Sequence, residues 1–135
     1  MAHVRDALLA GYTLAMTAKR SDPPKAEDSY FGDRVDATPV EIFPGVFRRT
    51  LIWGERAMVC EITLPKGSIV ALHHHRHEQV GYLVSGRLSF TVNGVNHIVE
   101  AGGSWAVPGD APHTVVALED TIAIDVFSPV RDEYK

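Results

Sequence analysis

Four of the seven histidines fall within five consecutive positions, His73-His74-His75-Arg76-His77. Neutral imidazoles are ligands for first-row transition metals, and burying several of them without a metal or another partner is costly. If the segment is extended, side chains two apart share a face, so His73 and His75 can turn toward one ion while His74 points away. A purification tag does not stand in mid-chain between apolar runs, and Arg76 interrupts the repeat. The residue types and spacing therefore predict a metal site rather than a solvated tract. A second informative place is Thr121-Ile122-Ala123-Ile124-Asp125-Val126-Phe127. In a strand, Ile122, Ile124 and Val126 share one face, and Asp125 and Phe127 share the other with Ala123. Alternation alone leaves two readings: Asp125 stands in solvent, or it points into a barrel toward the metal.

Short strands are the elements that must position these residues. Runs rich in β-branched and aromatic residues span 46–53, 57–64, 68–73, 80–84, 88–92, 95–99, 113–118 and 121–127. Turn residues separate them, including Gly54-Glu55-Arg56, Pro65-Lys66-Gly67 and Asn93-Gly94, the last a hairpin signal because both residues tolerate positive φ. Many short strands without intervening helices predict an all-β sandwich or closed barrel. Upstream, Val4, Leu8, Tyr12 and Ala15 recur at the step of an amphipathic helix ending near Lys19. The prolines Pro23 and Pro24 then mark a linker. Residues 1–37 are thus expected as helix and linker, and residues 38–135 as the barrel domain.

Length and composition narrow the function classes. A chain of 135 residues is one domain's worth, and its net charge of −4, with scattered Lys and Arg, offers no footprint for nucleic acid. The single cysteine, Cys60, has no internal disulfide partner and sits in the apolar run Ala57-Met58-Val59-Cys60, where a small buried residue is expected. No run reaches the ~20 apolar residues of a membrane span. Arg5 is followed at once by Asp6, which weakens the n-region of any signal peptide. A cytoplasmic protein without membrane partners is the expectation.

The chain also resembles the cupin family. The family's first motif has a Gly, five residues, His-x-His, three or four residues, usually Glu, then six residues and Gly; Gly67, His73, His75, Gln79 and Gly86 stand at those spacings. Its second motif, a Gly, five residues, Pro-x-Gly, two residues and His, is matched by Gly102, Pro108 and His113, with Asp110 in place of the second Gly and Ala117 in place of the closing Asn. The resemblance covers residues 40 to 131 and implies a jelly-roll β-barrel, here with an N-terminal helical extension. It implies His73, His75, Gln79 and His113 as ligands of one divalent transition metal, such as Ni, Mn, Fe or Zn. Glu78 is the alternative to Gln79, but the six residues before Gly86 select Gln79. With Gln instead of Glu, three imidazoles and an amide carbonyl leave the ion's charge uncancelled, which favours an anionic ligand. His77 has the parity of the ligands but would overfill the site, so it is read as lying behind the ligands or at the surface, and His74 as facing outward. His97 and His3 carry no signal.

The ending Asp125-Val126-Phe127-Ser128-Pro129-Val130-Arg131 and the run His75-Arg76-His77-Glu78-Gln79-Val80-Gly81-Tyr82 resemble a narrower group. These are cupins of pectin and alginate breakdown that ketonise 4,5-unsaturated uronates. That resemblance implies Asp125 as the catalytic proton carrier, with Phe127 and Arg131 lining the site of a small carboxylated substrate. Two other functions fit a three-histidine site. A non-haem iron dioxygenase also needs open metal positions, and a module that binds metal and a small ligand without turnover needs no chemistry from Asp125. A homodimer is expected, because small barrels of this kind pair through an edge strand.

Overall fold

The computed structural model describes residues 30–135. The helix expected from Val4 to Lys19 and the linker after it lie outside the described residues. Ten strands follow in order: β1 Val40–Phe43, β2 Val46–Trp53, β3 Met58–Leu64, β4 Ile69–His73, β5 Glu78–Ser85, β6 Arg87–Val92, β7 Val95–Glu100, β8 Ser104–Val107, β9 His113–Ala117 and β10 Thr121–Ser128. They form two antiparallel sheets, one ordered β1-β2-β3-β10-β5-β8 and the other β4-β9-β6-β7. The interleaving of β10 between β3 and β5 means that strands far apart in sequence share one wall.

Eight strands stand close to the β-rich runs of the sequence. The two that those runs do not reveal, β1 and β8, have four residues each and lie at the two edges of the larger sheet. An edge strand this short is held from one side only, so little of its sequence must alternate. Asn93 and Gly94 both take positive φ, 49° and 77°, and close the hairpin in which Val92 faces Val95.

The lumen between the sheets is filled from both walls by fully buried Val46, Met58, Cys60, Leu83, Leu88 and Val107. Burial raises the Cys60 thiol to about 11, so it stays protonated and inert at neutral pH. In β10 the alternation is resolved: Thr121, Ala123, Asp125 and Phe127 are buried and face inward, and Ile122, Ile124 and Val126 face outward. The strand thus turns its aliphatic side away from the core and its carboxylate into it. Glu61, outward on β3, is also buried, because Arg34 from the segment before β1 lies over it with an Nε–Oε1 distance of 2.9 Å.

Candidate metal centre

The histidines are gathered by strand register. His73 ends β4 opposite His113, which opens β9, and their ring centroids are 4.2 Å apart. His75 lies in the turn that follows, 5.0 Å from the His113 ring. That turn is clasped by the loop before β9: the Asp110 N–H donates to the His75 carbonyl at 2.7 Å. Asp110 takes φ 63°, a conformation that Asp reaches at modest cost, which accounts physically for its place where the family motif has Gly.

One ligand atom from each of His73, His75 and His113 lies within 4.8 Å of the others. In each ring Nδ1 faces a main-chain carbonyl: Ala71 at 2.8 Å, His77 at 2.9 Å and Ala111 at 2.8 Å. A carbonyl only accepts, so Nδ1 carries the proton and Nε2 is left with its lone pair, the form that binds a metal. The buried Nε2 of His113 has no hydrogen-bond partner. Burial, the Arg131 charge and the neighbouring imidazoles lower His75 to about 4, and burial lowers His113 as well. Both rings are therefore neutral at physiological pH.

Gln79 is buried and Glu78 exposed, as adjacent strand positions require, so the amide and not the carboxylate faces the histidines. Gln79 Oε1 lies 3.2 Å from His75 Nε2. The other end of the same amide bonds Asp125. An ionised carboxylate only accepts, so the amide N–H goes to Asp125 and Oε1 turns to the imidazole. Two lone pairs then face each other across 3.2 Å, an arrangement that a cation between them would relieve. The donor set thus fits a divalent transition metal on its own geometry.

Asp125 lies in the lumen, where burial raises its pKa to about 6 against the opposing hydrogen bonds of Gln79 and Trp105 and the charge of Arg131. Trp105 Nε1 donates to it at 2.9 Å. Gly81 makes this reach possible: it pairs with both Asp125 and Trp105, and a Cβ there would run into the indole. Sequence reasoning missed Trp105, and its one signal was a glycine in mid-strand, which marks a close approach. Phe127 turns its ring edge toward His75 at 5.8 Å, and the Arg131 guanidinium lies 5.0 Å from the Phe127 centroid. His73, Gln79, His113, Asp125, Phe127 and Arg131 line one cavity, whose remaining wall is largely apolar. His74 and His97 are exposed. His77 is buried rather than at the surface, its two ring nitrogens are unpaired, and its carbonyl holds His75. His3 lies outside the described residues.

Residues 60–127 match the model of the cupin domain family. The chain belongs to the cupin family. Among curated cupin relatives, the pectin degradation protein KdgF of Dickeya dadantii is 32% identical over 108 residues, covering 78% of this chain and 96% of the relative. Two solved cupin structures are similar. An RmlC-like cupin from Shewanella frigidimarina gives a TM-score of 0.75 at 32% identity, covering 80% of this chain and 97% of the other. KdgF from Halomonas sp. gives 0.74 at 28% identity, covering 79% and 99%. This cupin therefore carries a three-histidine cluster compatible with a metal ion and resembles proteins of pectin degradation.

Proposed function

We propose that this cupin is a metal-dependent isomerase converting 4,5-unsaturated uronates, products of pectin or alginate breakdown, to their linear keto form. The observation that carries the reading is Asp125: a carboxyl with a pKa of about 6, buried in the lumen and joined through the Gln79 amide to the histidine cluster. The likeness to proteins named for pectin degradation supports the substrate class.

His73, His75, Gln79 and His113 would hold one divalent ion. Bound there, it would supply a Lewis acid for a substrate oxygen. Arg131, whose Nε is engaged by Glu133 at 3.0 Å, would meet the substrate carboxylate with its terminal nitrogens. Phe127 would pack against the sugar. Ketonisation removes a proton from an enol oxygen and places one on carbon, so substrate and product are isomers and no oxidant is consumed. A carboxyl with a pKa near 6 can accept and return that proton near neutral pH.

The reading includes a cytoplasmic homodimer. Among the described residues no helix is long and apolar enough to cross a membrane. Exposed Val80, Tyr82 and Val84 on β5 and Ile122 on β10 offer an apolar face for a second copy. Sedimentation of the purified chain checks this, with a monomer at micromolar concentration as the contrary result.

The functional test is turnover of a 4,5-unsaturated uronate by metal-loaded protein, followed by loss of the double-bond absorbance. Conversion is expected without oxygen uptake. Oxygen consumption that requires iron would instead favour a dioxygenase, and a protein that binds uronate without converting it would be a binding module.

A further inference from the structure

We infer that Tyr134, in the short turn after β10, is a positioning residue that holds the Arg131 guanidinium in the cavity and thereby sets affinity for a carboxylated ligand. The inference rests on the reading of Arg131 as the carboxylate anchor. A free arginine side chain samples many rotamers, and fixing it on binding costs affinity that a pre-ordered side chain does not lose. Here Arg131 is already fixed. Its Cζ lies 3.8 Å from the Tyr134 ring centroid, its Nε is 3.0 Å from Glu133 Oε1, and only 11% of its side chain is exposed.

Tyr134 is in turn tied to the barrel wall. The Thr50 hydroxyl of β2 donates to its carbonyl, and its own N–H donates to the Arg131 carbonyl at 2.9 Å. Phe127 meets its ring edge-on, with centroids 5.6 Å apart and planes at 86°. A second guanidinium, that of buried Arg48 on β2, lies 3.9 Å from the same centroid. Among the described residues Arg48 has no carboxylate partner, and its Nε is unpaired. The ring therefore links a cation of the wall to the cation of the cavity, and Tyr134 and Arg131 both line that cavity. Glu133 contributes orientation more than charge: its side chain is 56% exposed, so solvent screens it.

The test compares Tyr134→Leu and Tyr134→Phe in the full, metal-loaded chain with two readouts. The first is the rate at which phenylglyoxal modifies Arg131, followed by peptide mass spectrometry. It should rise about tenfold in Tyr134→Leu and stay at the parent rate in Tyr134→Phe, because the phenylalanine ring preserves the stack. The second is KM against kcat on a 4,5-unsaturated uronate: KM should rise about tenfold in Tyr134→Leu with kcat within twofold, and Tyr134→Phe should restore KM. Unchanged Arg131 modification in Tyr134→Leu, at parental metal content and circular dichroism, would overturn the inference. So would faster modification with an unchanged KM. A parent that converts no uronate would sink the proposed function alone, since the modification rates still show whether Tyr134 orders Arg131.

Discussion

Each metal-facing imidazole is anchored by a main-chain carbonyl two residues away, whereas Asp125 is anchored by the indole of Trp105, twenty residues distant, and by the amide of Gln79 on a neighbouring strand. The histidine half of the site is oriented by its own backbone and needs only the β4–β9 register to close. The acid half exists only once β5, β8 and β10 have paired. The two halves also titrate in opposite senses. Burial holds His75 neutral down to about pH 4, and burial holds Asp125 protonated up to about pH 6. On the proposed reading one half would bind a cation and the other would carry a proton, and Gln79 touches both.

Breaking the histidine half should have the largest effect. His75→Ala removes one imidazole from the cluster and should abolish stoichiometric metal by elemental analysis, while the buried core, which His75 does not help to fill, keeps its circular dichroism spectrum. Full metal occupancy in that variant would refute the ligand assignment. Breaking the acid half should leave metal in place but stop the chemistry: Asp125→Asn should retain its metal and lose ~10²–10⁴ in kcat on uronate. Loss of metal in this variant would mean that Asp125 serves the ligands rather than the substrate.

The same substitution sharpens the contrast in metal-free protein. Between the ordinary value of 3.8 and the folded value of about 6, the native state binds more protons at Asp125 than the unfolded chain does. Stability contributed by this group is therefore present at low pH and lost as pH rises through 6. Asp125→Asn should stabilise the metal-free protein at pH 8 by on the order of 3 kcal/mol, with most of the gain lost by pH 4. Denaturant melts at the two pH values check it, and a gain that is constant with pH would contradict the burial argument. His75 runs the other way, since protonation of the unfolded chain at low pH costs stability between about 6.5 and 4.

The smallest effect is expected where the halves meet. Gln79→Glu adds a negative ligand, so metal should bind at least as well, while a carboxylated substrate should bind several-fold more weakly because the residual charge of the site falls by one. Calorimetry that finds uronate bound as tightly as by the parent would remove the charge argument for Gln79.

The same division explains what was legible in the sequence. His73 and His75 could be paired because the two-residue step of an extended segment is a local property, whereas Gln79 and His113 were named only through the spacing of the cupin motifs. Asp125 could be placed on a face but not given a direction: Ile122, Ile124 and Val126 are more apolar than its own face, yet they point outward. Only the insertion of β10 between β3 and β5 decides the side. Trp105 and Tyr134 were invisible for a related reason. Each reaches the site from a short element at an edge or terminus, β8 and the turn Asp132–Tyr134, whose few residues carry no period.

The most direct measurement is conversion of a 4,5-unsaturated uronate by the same preparation before and after its metal is stripped and restored. An isomeric linear keto product is expected, with loss of activity on stripping, recovery with a divalent transition metal and no oxygen uptake throughout. Full activity in the stripped protein, or no conversion of any 4,5-unsaturated uronate by the restored one, would contradict the proposed function.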